Sequence, residues 1–280
     1  MKRLHKFRRK KTAPEPTDTL GYLTRFYTGR CDEDKRLLTR HGQVEYHTTM
    51  RYIEKYARPG MRILEIGAGT GRYSLTLARM GYDVTAIELV QHNIDVFRKK
   101  LKSSDKIDIQ QGNALDLSRF EDNRFDITLL FGPMYHLFEK EDQAKALSEA
   151  LRVTKPGGLL YVAYAIADMS ILSSGISPKR WFWDYLKDGH IDPATYECMS
   201  HPSDLFELYR KERIDALTAD MPAQRLHYVA TDGVAQLLRD VLAKMTPEQF
   251  AIFMEYHYFL CERADMVGLT NHALDILRKN

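Results

Sequence analysis

The chain has 280 residues, of which 44% are hydrophobic and 28% are charged, and its formal net charge is +3. These values are typical of an ordinary soluble protein with one large domain or two modest ones, and no apolar run reaches the roughly 18 residues that a membrane helix needs. The three cysteines (Cys31, Cys198 and Cys261) are widely spaced and lack metal-ligand spacing, which predicts neither disulfides nor a zinc site and suits a cytoplasmic protein.

Basic residues are concentrated at the N-terminus, where Met1–Lys11 contains seven Lys or Arg and no acidic residue. Such a stretch can contact phosphate or anionic lipid, but it is more often a solvated tail. We therefore expect residues 1–19, with Pro14 and Pro16, to be a disordered arm and linker, and the domain to span residues 20–280. No apolar segment or small-residue cleavage site follows, so the arm does not resemble an export signal.

Strand and helix patterns alternate through the first half of the chain. Apolar spacing predicts helices at 36–57, 72–80, 91–101 and 143–154, and strands at 62–66, 83–87, 107–110, 125–131 and 159–165. The strands are apolar throughout their length rather than alternating, as burial on both faces requires. This order of elements predicts an α/β fold with a parallel sheet covered by helices on both sides.

The alternation becomes irregular after residue 165. The patterns predict helices at 203–217, 234–245 and 247–264 and strands at 224–230 and 273–277. We interpret this half as completion of the sheet interrupted by helical insertions at about 166–222 and 233–270. The insertions are expected to pack together as a cap above the carboxyl ends of the strands.

A glycine-rich loop joins the first predicted strand to the helix that follows it. Gly67, Gly69 and Gly71 allow a tight turn and let a ligand approach the backbone at the helix N-terminus. Glu88 ends the next predicted strand, where nucleotide-binding α/β proteins place the acid that holds ribose hydroxyls. Arg72 stands where a dinucleotide fingerprint has its third glycine, which favours adenosine with a short amino-acid tail over a dinucleotide.

Five segments together resemble class I S-adenosylmethionine-dependent methyltransferases. They are Leu64–Gly71 (motif I), Thr85–Glu88 (motif II), Gln111–Asp116, Phe125–Leu130 and Leu151–Gly158. The resemblance covers about residues 40–165. It implies a Rossmann-like sheet of seven mostly parallel strands in the order 3-2-1-4-5-7-6, with S-adenosyl-L-methionine as the cofactor.

The resemblance also implies which residues contact the cofactor. They are Glu65, Gly67, Ala68, Gly69, Gly71, Arg72, Glu88, Leu89, Asn113, Ala114 and Phe131. Glu65 would orient the amino end of the cofactor, and Glu88 would hold the ribose. Arg72 could meet the cofactor carboxylate, although an exposed Arg in the first turn of a helix needs no ligand.

The segment Phe131–Leu137 bears on the methyl acceptor. Methyltransferases that act on base amino groups usually have Asn or Asp, two prolines and an aromatic residue here, and Gly132 and Met134 depart from that pattern. No cysteine nucleophile is nearby, so we expect direct in-line transfer to an oxygen or nitrogen of a small molecule. Tyr135 and His136 are candidates for a general base, and each could instead be a packing residue.

Several side chains are candidates for the acceptor pocket: His41, Tyr46, Tyr135, Trp181 and Trp183. The tryptophans lie in an aromatic stretch that could close the pocket as an apolar lid or simply pack on the sheet. We expect the cavity to be bounded by Phe131, Tyr135, His136 and at least one of these tryptophans. The remaining histidines, including His227 and His272, lack ligand spacing, and no metal is predicted.

Two other functions are compatible with the sequence. An RNA or ribosome methyltransferase could use Met1–Lys11 to bind phosphate, although no RNA-binding module is recognisable. A protein of this fold could also bind the cofactor without turnover. The intact Gly67, Gly69, Gly71 and Glu88 argue against loss of cofactor binding, and the sequence leaves the oligomeric state open.

Overall fold

A computed structural model describes residues 19–29 and 33–280. The predicted basic arm Met1–Lys11 therefore lies outside the described residues. Within them, seven strands form one sheet: β1 (Arg62–Ile66), β2 (Asp83–Glu88), β3 (Ile107–Gln111), β4 (Phe125–Leu130), β5 (Thr154–Ala165), β6 (Ala223–Ala230) and β7 (His272–Lys279). Their order is β3-β2-β1-β4-β5-β7-β6, which confirms the predicted fold.

The first five strands are parallel, and β7 runs antiparallel to both β5 and β6. Strands β1, β2 and β4 are buried over nearly their whole length because helices cover both faces of the sheet. On one face Leu160 of β5 packs with Leu147, and on the other face Leu129 of β4 packs with Ile53. Since all the strand-helix connections in this half start at one edge, the loops that follow β1, β2 and β4 meet there.

Helices surround the sheet in chain order. They are α1 (Thr19–Gly29), α2 (Glu33–Arg36), α3 (Arg40–Tyr56), α4 (Arg72–Arg79), α5 (Gln91–Lys99), α6 (Lys140–Val153), α7 (Ala167–Ser170), α8 (Trp181–Asp188), α9 (Lys211–Thr218), α10 (Arg239–Leu242) and α11 (Pro247–Leu260). Short 3-10 turns form at Pro133–Tyr135 and Pro202–Asp204, and a π turn at Ile171–Gly175. None of the described helices combines the length and the apolarity needed to cross a lipid bilayer.

The helix predicted at 203–217 is wrong over its first half. After the 3-10 turn, Leu205 has a positive φ of 69°, which ends the helical path. The chain then runs extended, and the Tyr209 N–H donates to the Ala165 carbonyl while the Ala167 N–H donates to the Tyr209 carbonyl. These bonds to the end of β5 replace helical ones, so the helix α9 begins only at Lys211.

The two insertions are organised separately. The first has its own apolar cluster (Ala167, Ile171, Phe182, Ile191 and Cys198). The second packs Ala235, Leu242, Phe250 and Met254 against Val44 of α3. The predicted helix at 234–245 is confined to α10, whereas α11 forms as predicted from a capping box at Thr246. Each insertion thus has its own apolar cluster, and the packing of the two into one cap stays a prediction.

Candidate cofactor and acceptor site

A cavity of about 520 Å³ lies at the carboxyl ends of β1, β2 and β4. This is the edge at which open α/β sheets bind ligands, and the volume is in the range of small-molecule sites. One side of the cavity is formed by the glycine loop and the residues after β2 and β3. The other side is formed by α1, α2, the segment after β4 and the start of β7.

The three loop glycines have different roles. All have positive φ, at 84°, 53° and 84° for Gly67, Gly69 and Gly71. A Cβ on Gly67 would lie 2.1 Å from the Phe131 carbonyl oxygen, and one on Gly71 would lie 2.3 Å from the Phe97 ring. Only at Gly69 would a Cβ meet no described atom within 4 Å, so the space beside it is open to a ligand. Gly71 was expected to approach the cofactor, but it is not among the described residues of the cavity wall and packs against α5 instead.

Glu88 fixes the shape of this loop. Its side chain is buried, and its carboxylate accepts hydrogen bonds from the Gly69 N–H and the Val90 N–H, both at 2.8 Å. The carboxylate also lines the cavity, beside Leu89. It can therefore hold the backbone of the loop at the place where ligand hydroxyls would meet the cavity wall.

Arg72 lines the cavity and has a buried donor without a described partner. Its guanidinium stacks 4.4 Å from the centre of the Tyr46 ring, and its buried Nε has no hydrogen-bond partner among the described residues. A planar guanidinium with a free donor suits a carboxylate ligand. Tyr46 itself does not line the cavity; its hydroxyl bonds Thr76 at 2.7 Å, so it supports Arg72 rather than a substrate.

Glu65 is a buried residue of the cavity wall. Its carboxyl group accepts a short hydrogen bond from the Ser74 hydroxyl. Burial raises the pKa of Glu65 to about 8 despite that hydrogen bond. A cationic ligand group placed here would favour the carboxylate, because it would replace the solvation lost on burial.

The remaining predicted cofactor residues also line the cavity. Ala68, Asn113, Ala114 and Phe131 are all in its wall. The Asn113 Oδ1 accepts a hydrogen bond of 3.0 Å from the Leu115 N–H, which holds the loop after β3 against the cavity. The structure thus brings together every predicted cofactor residue except Gly71.

Tyr135 and His136 lie on the acceptor side, where the sequence placed them. The His136 Nδ1 donates to the Leu205 carbonyl at 2.7 Å, and its Nε2 lies 2.9 Å from the Tyr27 hydroxyl. Both ring nitrogens are therefore engaged. The imidazole of His136 connects α1 to the first insertion, which suits a structural role better than proton transfer.

The helix α1 is the lid that sequence reasoning missed. Thr19, Leu20, Leu23, Phe26 and Tyr27 all line the cavity. The Phe26 ring packs edge to face against Phe206 of the first insertion, with ring centres 5.7 Å apart. The helical spacing of Leu20, Leu23 and Tyr27 was the available signal, but it does not reveal the packing partner.

The predicted tryptophan lid and His41 are not part of the described cavity wall. Trp181 packs on Gly175 and on the Tyr185 ring, within the first insertion. Trp183 is about half exposed, and its indole N–H donates to the Ile176 carbonyl at 3.1 Å. The aromatic stretch therefore serves the core and surface of the insertion, which reaches the cavity with Pro202 and Phe206.

Among the described residues, Glu45, Asp232 and His272 form a group that sequence reasoning did not find. Their ligand-type atoms all lie within 4.8 Å of one another, a spacing compatible with a metal ion. The three are already paired, however: Asp232 Oδ2 lies 2.9 Å from His272 Nδ1, and Glu45 accepts from Arg36 at 2.6 Å. Glu45, His272 and Arg36 line the acceptor side of the cavity.

Comparison with known proteins identifies the central region. Residues 64–162 match the family model described as a methyltransferase domain. The demethylmenaquinone methyltransferase of Clavibacter sepedonicus is 38% identical over 104 residues, which are 37% of this chain and 40% of that protein. A ubiquinone biosynthesis O-methyltransferase of Cereibacter sphaeroides is 29% identical over 157 residues, 56% of this chain and 61% of that protein. The matched part is thus less than two thirds of either relative.

A solved structure shows the same fold over most of the chain. The S-adenosylmethionine-dependent methyltransferase of Methanosarcina mazei superposes with a TM-score of 0.54 and 20% identity, covering 81% of this chain and 96% of that one. The strand order, the glycine loop and the family match therefore all indicate a methyltransferase domain. Residues 64–162 carry this methyltransferase domain, on a sheet of the Rossmann-like type.

Proposed function

We propose that this protein transfers the methyl group of S-adenosylmethionine to an oxygen or nitrogen atom of a mainly apolar small molecule. The observation that carries the proposal is the continuity of the cavity, because Gly69 and Glu88 share it with a largely apolar acceptor wall. Donor and acceptor would lie in one enclosed space, as direct in-line displacement requires.

The residues of the cofactor side fit S-adenosylmethionine. Among the described residues, nothing fills the space beside Gly69 and nothing bonds the Arg72 Nε, and Glu65 is a buried carboxyl group. Arg72 would hold the cofactor carboxylate, Glu65 would face its ammonium group, and Glu88 would hold the ribose hydroxyls. Bound there, the cofactor supplies a methyl group on a sulfonium, which is already a good leaving group.

The acceptor side would exclude water and align the substrate. Its apolar wall includes Leu23, Phe26, Leu137 and Phe206. An apolar enclosure protects a nucleophile from competing solvation and favours a ring or chain of hydrocarbon character. The two curated relatives are named for demethylmenaquinone and for ubiquinone biosynthesis, which supports a small-molecule acceptor of this general kind.

The two other functions have weaker support. RNA methylation would rely on Met1–Lys11, which lies outside the described residues, and no feature of the described cavity favours a nucleic acid. A protein that only bound the cofactor would not need the apolar wall that lines the other side of the cavity. Both alternatives remain testable, since they predict binding of RNA at low salt and release of no S-adenosylhomocysteine, respectively.

Calorimetry tests cofactor binding directly. We expect S-adenosylmethionine and S-adenosylhomocysteine to bind at micromolar concentrations and NAD not to bind. Gly69→Val should abolish binding, because the new side chain would fill the open space beside the loop. Gly81→Val is a matched control: Gly81 also has positive φ and open surroundings, but it is not in the described cavity wall.

Both valine variants should lose some stability through backbone strain, and only Gly69→Val should lose binding. The proposal fails if NAD binds tightly and neither S-adenosyl compound does. Equal losses of binding in the two variants would show that the effect is one of stability alone.

A further inference from the structure

We infer that the His272 imidazole, oriented by Asp232, removes the proton from the methyl acceptor, and that the acceptor atom is therefore a hydroxyl oxygen. The inference rests on the proposed methyl transfer and deepens it by assigning its base and its substrate class. His272 and Asp232 are referred to below as the dyad.

The dyad is held in place by the sheet. His272 begins β7, and Asp232 follows the end of the neighbouring strand β6. The Asp232 Oδ1 accepts from the backbone N–H groups of Asn271 and His272, at 2.9 and 3.0 Å, and its Oδ2 lies 2.9 Å from the His272 Nδ1. The Nδ1 therefore carries the proton in the neutral ring, and Nε2 is the nitrogen with a lone pair.

The Nε2 of His272 is available for a substrate. The ring lines the cavity, with Tyr135 next to it at 5.9 Å between ring centres. No described residue forms a hydrogen bond with Nε2. In this respect His272 differs from His136, whose two nitrogens are bonded to Leu205 and Tyr27. Of the two histidines in the described wall, His272 is the one whose Nε2 no described residue occupies.

The charges around the dyad increase its basicity. The His272 Nδ1 lies 3.4 Å from the Glu45 Oε2, and Glu45 is itself paired with Arg36. Burial lowers the pKa of His272, but the Glu45 and Asp232 carboxylates outweigh that effect and raise the pKa above its usual value. A base of raised pKa is better matched to a weakly acidic hydroxyl than an ordinary histidine is.

Two other histidines stand near the same carboxylates. Burial lowers the pKa of both His41 and His257, although Asp232 acts in the opposite direction on each. We therefore expect them to be neutral when His272 is protonated. The Arg36 guanidinium acts against the two carboxylates on the pKa of His272, and the Tyr135 ring lies beside the imidazole.

A base is needed for a hydroxyl but not for an amine. A neutral amine already offers a lone pair, whereas a hydroxyl becomes a strong nucleophile only when its proton leaves. In the inferred step the proton of the acceptor O–H moves to His272 Nε2, the O–C bond forms as the S–CH₃ bond breaks, and the electron pair of that bond goes to sulfur. The products are a methyl ether and S-adenosylhomocysteine, and the imidazolium then releases its proton to solvent.

A spectroscopic test uses 4-nitrophenol as the probe and the protein saturated with S-adenosylhomocysteine, so that no turnover is involved. At a pH at which the free probe is mostly protonated, we expect the bound probe to show the phenolate spectrum. His272→Asn should abolish that spectrum while S-adenosylhomocysteine affinity changes less than about twofold. His92→Asn, an exposed histidine outside the described cavity wall, is the control and should behave as the unmodified protein does.

A turnover test compares alkyl-substituted phenols with the anilines of the same shape, using methyl-labelled S-adenosylmethionine. Phenols should be methylated and anilines should not, and His272→Asn should lower kcat on phenols by about 100-fold or more. Asp232→Asn removes a charge that favours the imidazolium, so the acidic limb of the pH profile should move to lower pH. A purely structural role for Asp232 would lower activity without moving that limb.

The possible outcomes separate this inference from the proposed function. Failure to bind either S-adenosyl compound would overturn the proposed function. If the cofactor binds but no phenol is bound or methylated, or if His272→Asn methylates phenols normally, the inference alone is wrong. Activity that is lost on chelation and restored by Mg²⁺ would instead make Glu45, Asp232 and His272 metal ligands and would also overturn it.

Discussion

Glu65 is a carboxyl group that the fold buries beside an open ligand site. Because burial raises its pKa to about 8, much of it is protonated at neutral pH in the protein without ligand. The folded state favours protonated Glu65, so the stabilisation is fully present below a pH of 4.5 and is lost progressively as the pH rises to about 8. An ammonium group bound next to Glu65 would reverse the preference and favour the carboxylate.

We therefore expect the affinity for S-adenosylhomocysteine to rise with pH between about pH 6 and pH 8, with proton release on binding. Calorimetry in buffers of different ionisation enthalpy measures both quantities. Glu65→Gln should weaken binding and remove the pH dependence, whereas Glu54→Gln, on the exposed face of α3, should change neither. A pH dependence that persists in Glu65→Gln would assign the proton to another group.

At this scale the sequence predicts the cofactor side well and the acceptor side poorly. Gly69 and Glu88 are recognisable because both belong to one local run of strand, loop, helix and strand, and that run brings both of them to the cavity. Asp232 and His272 lie 40 residues apart in sequence, and neither belongs to a recognisable local motif. Only the pairing of β6 with β7 places them side by side, and that pairing is not visible as a local pattern.

The strands β6 and β7 are connected by a buried ion pair. Asp275 lies inside the sheet with no exposed surface, and its two carboxylate oxygens accept from the Arg225 Nε and a terminal nitrogen, both at 2.7 Å. Arg225 also contacts Asp215, so the guanidinium ties α9 to both strands. Removing one member leaves the other without its main partner.

Asp275→Ala should lower the free energy of unfolding by about 3–5 kcal/mol, measured by chemical denaturation. Asp265→Ala, which breaks the exposed pair with Arg263, should have no measurable effect because solvent screens that pair. If the two variants were equally stable, the Asp275 ion pair would contribute no more than a surface contact.

Helices and strands that depend on local sequence were predicted better than those that depend on contacts with distant segments. The parallel strands and α4, α5 and α6 follow directly from apolar periodicity, with ends that differ by a few residues. The segment around Tyr209 was wrong because a tertiary partner, the end of β5, takes its backbone hydrogen bonds. Helix propensity cannot reveal this competition, because helical bonds and bonds to β5 satisfy the same backbone N–H and C=O groups.

The helix α1 covers the cavity from outside the sheet. This helix contacts α5 on the cofactor side and the turn Pro202–Asp204 on the acceptor side. Leu23 is its buried residue, and the Tyr27 hydroxyl meets His136. Because α1 lies outside the sheet, we expect that it can open while the sheet stays intact.

Leu23→Ala should accelerate the release of S-adenosylhomocysteine, by about tenfold if the helix loses roughly 1.4 kcal/mol of its packing. The melting temperature should change little, because the sheet does not depend on α1. Stopped-flow displacement measures the release rate. Leu38→Ala, at an exposed leucine outside the described cavity wall, is the control, and an effect of similar size there would contradict the lid.

The hydrogen bonds of Asp232 also define how the second insertion is attached. Besides the bonds from Asn271 and His272, the Thr231 N–H donates to the His272 carbonyl at 3.0 Å. In topological terms, residues 233–270 are one long hairpin connection whose ends are closed independently of the helices inside it. The length of this connection can therefore change, by evolution or by engineering, without moving Asp232 relative to His272. Shortening it would uncover the apolar face of α3 around Val44 and leave the acceptor wall in place.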